Sequence, residues 1–236
     1  MLLAGAMVIA SLTACGGSQK KETTAETKAE TKAETTEEAT AETKKAAADD
    51  GKTYKIGVLQ LVEHAALDAS NKGFVAALDD AGIAYEIDQQ NAQGDQSACQ
   101  TIAEKLVNDG NDLILAIATP AAQAVAGCTT EIPIVGTAIT DYAASGLVDD
   151  NAAPGGNVTG SSDLTPIEAQ IGLLKKVLPE AKTVGVLYCS AESNSEIQLQ
   201  MTKEVCKNEG LEVVEFSVAS SNEIQSVVES AVGKVD

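Results

Sequence analysis

The sequence has no arginine and no tryptophan. Its 16 basic residues are all lysine, set against 35 Asp plus Glu, for a formal net charge of −19 over 236 residues. With only four Tyr, two Phe and no basic cluster, the chain lacks the electrostatic footprint that a phosphate backbone requires, which excludes nucleic acid as a partner. A single histidine, His64, and five cysteines without a C-x-x-C pair leave too few soft ligands for a zinc or iron–sulfur site. No G-x-x-x-x-G-K-[ST] or G-x-G-x-x-G phosphate loop occurs, and no G-x-S-x-G elbow. The reading therefore assigns no metal, no cofactor and no catalytic residue.

What is present begins with an apolar run from Leu2 to Leu12, the length of a secretory h-region and too short to span a bilayer. It closes on Leu12-Thr13-Ala14-Cys15 before Gly16-Gly17, which resembles a bacterial lipobox. Residues 1–14 are thus expected to be a lipoprotein signal peptide, with Cys15 lipidated and the protein anchored to the outer face of the bacterial cytoplasmic membrane. The opening Met1-Leu2-Leu3 lacks the usual basic residue, which suggests a start internal to the gene. Residues 15–52 carry loose Glu-Thr-Lys-Ala repeats without large apolar residues, and read as a solvated tether. The acidity belongs to the remainder, where residues 51–236 hold 10 Lys against 26 acids.

From Tyr54 onward, apolar β-rich runs alternate with amphipathic stretches, the pattern of parallel βαβ units. Strands are expected at 54–61, 83–88, 112–118, 132–137, 182–188 and 211–216. Leu67, Phe74, Val75 and Leu78 recur at helical spacing before Gly82. Gly57-Val58-Leu59 stands 25 residues before Gly82-Ile83, and Gly185-Val186-Leu187 stands 25 residues before Gly210-Leu211. Two equivalent strand–helix–strand openings, each helix closed by a C-terminal glycine, predict two similar lobes. The turn-rich segment 142–160 is expected to be the crossing or hinge between a first lobe, 53–141, and a second, 161–236. A second lobe of two strands would be open-edged, so the lobe is expected to continue past Asp236.

At the strand ends the chain resembles a known family. Gln60-Leu61-Val62-Glu63-His64-Ala65-Ala66-Leu67-Asp68, Ala118-Thr119-Pro120-Ala121-Ala122-Gln123, Thr140-Asp141, Gly155-Gly156-Asn157-Val158-Thr159-Gly160 and Glu192-Ser193-Asn194-Ser195 fall in order. Together they resemble the substrate-binding lipoproteins of ABC importers associated with tryptophan and tyrosine. The resemblance implies an α/β fold of two Rossmann-like lobes, type I periplasmic-binding-protein-like, joined by a hinge. It also implies an amino acid-like ligand, aromatic favoured, delivered to an ABC permease and ATPase complex. Tyr142 and Cys189-Ser190 depart from the family pattern, which has Pro and Asn-Pro there.

In open parallel sheets a ligand lies outside the carboxyl ends of the strands, which nominates Gln60 to His64, Ala118 to Pro120, Thr140 to Tyr142 and Tyr188 to Ser195. The ligand-binding candidates are Glu63, His64, Thr119, Asp141, Tyr188, Ser193, Asn194 and Ser195. Without arginine, a carboxylate would be met by hydroxyls and N–H groups at helix N-termini. Competing structural readings stand beside these. Ser193-x-x-Glu196 is a capping box, Thr119-Pro120 reads as N-cap and N1, and Thr165-Pro166-Ile167-Glu168 has the same capping form. His64 could serve its own neighbours, Tyr142 and Tyr188 could stack on an aromatic ligand or belong to the core, and Cys99, Cys128, Cys189 and Cys206 could pair within lobes or stay free. A membrane-tethered sensor module and an exported α/β hydrolase are the alternative functions.

Overall fold

A computed structural model describes residues 51–236; the expected signal peptide, Cys15 and nearly all of the tether lie outside the described residues. The chain runs β1 (Tyr54–Gln60), α1 (Ala65–Ala81), β2 (Tyr85–Asn91), α2 (Gln96–Asn108), β3 (Leu113–Ile117), α3 (Thr119–Cys128), β4 (Ile134–Ile139) and β5 (Val158–Ser162). It continues through α4 (Ile167–Val177), β6 (Thr183–Cys189), α5 (Ser193–Asn208), β7 (Glu212–Val218) and α6 (Ile224–Ala231). A five-stranded parallel sheet of order β2-β1-β3-β4-β5 forms the first lobe, and the parallel pair β6-β7 forms the sheet of the second.

The first sheet is buried on both faces, as a parallel sheet between helices must be, and its central strands are continuously apolar. Period-two alternation sends Leu59 and Ala116 to one core with Ala103 and Leu106 of α2 and Val125 of α3. The same alternation sends Val58, Leu115 and Ile117 to the other face, where Leu67 and Phe74 of α1 cover them. In the second lobe, Cys206 and Leu211 pack with Ile167 and Ile171 of α4.

The two glycine-closed helices end alike. At Gly82 (φ 68°) the N–H of Ile83 reaches the carbonyl of Leu78 at 3.1 Å, and at Gly210 (φ 73°) that of Leu211 reaches Cys206 at 2.8 Å. Both are six-to-one closures that place a left-handed glycine between helix and strand. The 25-residue repeat therefore reflects one βαβ construction used twice.

All six expected strands form within three residues of their expected ends, but a seventh, β5, does not follow the reading. Val158–Ser162 lies inside the expected crossing, yet it pairs in parallel with β4 and is the edge of the first sheet. Only Val158 of its five residues is buried, so the strand has no alternating apolar signal. The chain leaves the first lobe after β5, through Asp163 to Pro166 into α4.

Tyr142 explains how that edge is held. Its ring is buried over facing glycines, Gly136 of β4 and Gly160 of β5, and its hydroxyl donates to the Ser161 carbonyl at 3.2 Å. A Cβ on Gly160 would fall 2.0 Å from the Gly136 carbonyl oxygen and 2.2 Å from the Tyr142 hydroxyl. Tyr142 is a core residue of the first lobe and is not presented for stacking on a ligand. All four cysteines among the described residues are free thiols.

Candidate ligand-binding cleft

A cleft of about 450 Å³ lies where the carboxyl ends of the two sheets meet. The first lobe supplies Leu61 and Val62 after β1, Gln93 and Gln96 after β2, and Pro120 at the start of α3. The second lobe supplies Cys189 and Glu192 at the end of β6, Val218 and the hydroxyls of Ser220 and Ser221 after β7, and Ile224 of α6. Apolar walls with a few polar groups suit a small organic ligand. A more open groove of about 440 Å³ runs between α1 and Gln89 of β2, but it lies on the flank of the first sheet, away from the strand ends. Among the described residues no group of three His, Cys, Asp or Glu side chains is placed to hold a metal ion.

Three hydrogen bonds join the lobes beside the cleft. Gln96 Nε2 donates to the Ala191 carbonyl, Ser193 Oγ donates to Gln123 Oε1 at 3.2 Å, and Gln198 Nε2 donates to Thr140 Oγ1 at 3.3 Å.

Thr119 is the sequence candidate with the most unusual surroundings. It is 1% exposed, and its hydroxyl has no hydrogen-bond partner. A buried polar group in that state costs free energy and asks for an explanation. It is the first residue of α3, not the cap expected from Thr119-Pro120: the N-cap is Ala118, at φ 84° and ψ 154°, and no side chain caps the helix. That backbone region is nearly exclusive to glycine, and such strain concentrates at ligand sites. The N-terminal N–H groups of α3 beyond Pro120 are left without a side-chain acceptor, next to the Pro120 ring that lines the cleft.

The other candidates are placed as follows. His64 caps α1, its Nδ1 accepting from the Ala66 N–H at 3.2 Å; neither it nor the exposed Glu63 lines the cleft. Asp141 accepts from the Ala144 N–H and from Asn151 Nδ2, both at 2.9 Å, and these bonds hold its carboxyl below the usual range while fixing the loop before β5. Tyr188 lies on the face of β6 shared with Val184, which packs toward α5, away from the cleft-lining Cys189. Ser193 is the first residue of α5 and not its cap, so the expected capping box does not form: Ser193 turns to Gln123, and Glu196 Oε1 accepts from Gln200 Nε2 at 2.6 Å. Asn194 keeps a buried, unpartnered Oδ1, and the Ser195 N–H donates to the Glu192 carbonyl at 3.1 Å. Nor does Thr165 cap α4, which begins after Pro166 without a side-chain cap.

The structure thus brings the starts of α3 and α5 together and leaves Glu63, His64, Asp141 and Tyr188 outside the lining of the cleft. Sequence reasoning missed Gln93, Gln96, Val218, Ser220 and Ser221. The same strand-end rule, applied to β2 and β7 as well, would have found them.

The profile of the ABC transporter substrate binding protein family matches residues 55–236. The chain belongs to that family. Among curated proteins it is 40% identical to the "Tyrosine-binding protein" of Clostridioides difficile, an alignment that includes 100% of this chain and 64% of that protein. The chain therefore spans 64% of the length of that relative. Among solved structures it matches an ABC domain from Streptococcus pneumoniae in complex with L-Trp, at 46% identity and a TM-score of 0.73, over 77% of this chain and 62% of the other. It also matches the ligand-free, open form of a Clostridium difficile substrate binding protein with adhesive properties, at 45% identity and a TM-score of 0.58, over 78% and 63% of the two chains. The α/β architecture is that of type I periplasmic binding proteins.

Proposed function

We propose that this substrate-binding chain captures an amino acid-like ligand, an aromatic amino acid above all, in the cleft between its lobes, and presents it to an ABC permease and its ATPase. The observation that carries this reading is the cleft formed by the ends of both sheets, with the buried, unpartnered Thr119 hydroxyl at the uncapped start of α3, next to the lining residue Pro120 though not itself part of the lining. Donors of that kind suit a carboxylate where no arginine exists to clamp it. The buried Asn194 Oδ1 at the start of α5 adds a polar contact from the second lobe. The L-Trp complex of the pneumococcal relative supports the ligand class. Lobe closure on the ligand needs only hinge rotation and a higher affinity of the closed state. The protein acts outside the cytoplasm, exported by residues 1–14 and tethered through a lipid on Cys15.

Calorimetry on the full-length protein tests the reading. L-Trp or L-Tyr should bind, and Thr119→Ala should raise the dissociation constant about ten- to a hundredfold, the loss expected for a hydrogen bond to a charged group. The melting temperature without ligand should barely change. A variant that melts earlier but binds normally would reduce Thr119 to a structural residue. Labelled fatty acid should enter the wild-type protein and not Cys15→Ser; equal labelling of both would remove the anchor.

A further inference from the structure

We infer that the ligand site continues past the cleft into an amide-lined trough, so that the protein takes short peptides beginning with an aromatic residue as well as the free amino acid. The inference rests on the reading of the cleft as the ligand site. The trough, of about 260 Å³, lies in the first lobe between the first turns of α2 and α3, lined by Gln96, Gln100, Pro120, Gln123 and Ala124. Gln96 and Pro120 also line the cleft, so the two spaces meet at the start of α3. That is the end of the cleft where neutral donors face the ligand's carboxyl group, and a substituent on that carboxyl is directed into the trough.

The lining suits a peptide unit. Three of its five residues are glutamines and none is charged. An amide offers a donor and an acceptor together, as a peptide group does, whereas an apolar lining would strip the peptide of its hydrogen bonds at a cost. Gln123 is already committed: its Nε2 donates to the Ser145 carbonyl at 2.9 Å, and its Oε1 accepts from Ser193. Gln96 and Gln100 are not. One turn apart on α2 and both exposed, they use only their Nε2 groups, toward Ala191 for Gln96 and toward Glu104 and Cys128 for Gln100. Each Oε1 is left free to accept a peptide N–H. The lack of arginine matters again here. A guanidinium clamp fits a carboxylate, but uncharged N–H donors at the start of α3 serve a carboxylate and a peptide carbonyl alike. The far carboxylate of a dipeptide stays in water beside the exposed Gln100, and so needs no cation of its own.

The test compares L-tryptophan, L-Trp-Gly and Gly-L-Trp by calorimetry on the full-length wild-type protein, Gln100→Leu and Ala124→Leu. Wild type should bind L-Trp-Gly within about a hundredfold of L-tryptophan, and about tenfold or more ahead of Gly-L-Trp, whose extension sits on the amine. Gln100→Leu should lose about three- to tenfold in affinity for L-Trp-Gly, the worth of one neutral hydrogen bond, and none for L-tryptophan. Ala124→Leu, which fills the trough, should lose about tenfold or more for L-Trp-Gly and again none for L-tryptophan. A wider gap between L-tryptophan and L-Trp-Gly in wild type, equal binding of the two dipeptides, or variants that leave L-Trp-Gly unaffected or weaken it and L-tryptophan alike overturns the inference while leaving the cleft as the ligand site. If wild type binds none of the three compounds, the reading of the cleft fails and this inference fails with it.

Discussion

Tyr142 shows how much one side chain can hold in place here. Burial, and then the negative charge of Asp163, push its phenol from 10.0 up to about 12. The unfolded phenol ionises first, so stability is intact below pH 10 and is lost as pH rises toward 12, by on the order of 2 kcal/mol across the window. Denaturant titrations should show a fall over that window that is smaller in Tyr142→Phe than in wild type by about that amount. The remainder comes from other raised groups such as the buried Cys99 and Cys206 thiols. At neutral pH the same variant should be about 1 kcal/mol less stable through loss of the bond to Ser161. A steady stability of wild type from pH 9 to roughly pH 11.5 would contradict this account. Nothing in the residues around Tyr142 discloses its role. The slot exists only because Gly136 and Gly160 face each other across β4 and β5, a pairing set by register and invisible along the chain.

At the scale of elements, helices and strands were legible where their pattern is doubled and obscure where it is single. The repeat ending in Gly82 and Gly210 carries a periodicity and a left-handed closure together, and both lobes follow from it. β5 carries neither, since an exposed edge strand with one buried residue has no face to declare. Capping motifs fared by geometry, not by composition. Asp95 caps α2 without a Glu three residues on, accepting from the N–H groups of Ser97 and Ala98 at 2.7 and 3.0 Å, whereas Ser193 and Thr165, each three residues before a Glu, do not cap. Asp95→Ala should therefore cost about 1 kcal/mol in chemical denaturation, and Ser193→Ala far less. Equal losses for the two would mean that Ser193 caps α5 in solution after all.

The molecule as a whole has two lobes whose sheets meet at their carboxyl ends. The bonds from Gln96 to Ala191, Ser193 to Gln123 and Gln198 to Thr140 bridge the lobes there. Each neutral hydrogen bond contributes about 1 kcal/mol net, so removing all three should move the closed-to-open ratio on the order of a hundredfold. In small-angle scattering, the full-length triple variant Gln96→Ala, Gln123→Ala, Gln198→Ala should be more expanded than wild type without ligand. The two should coincide once saturated with L-Trp. Identical curves without ligand would show that these bonds do not hold the lobes. The cleft itself was largely legible: the strand-end rule led to the turns after β1, β3 and β6, and the turns after β2 and β7 follow from the same rule.

Those three bonds share a chemical trait with a consequence for how the lobes meet. Amides, hydroxyls and a backbone carbonyl make them, and none of these groups titrates or carries charge. The ion pairs of the described residues, by contrast, lie within one lobe or the other: Lys52 with Asp112 and Lys105 with both Asp88 and Asp109 in the first, Lys175 with Glu209 and Lys203 with Glu215 in the second. Salt screens charges and leaves neutral hydrogen bonds almost untouched. Swings in ionic strength therefore leave these bonds nearly unaltered. What salt changes between the lobes is the mutual repulsion of two acidic bodies, one with 4 Lys against 14 acids over residues 51–162 and the other with 6 against 12 over residues 163–236.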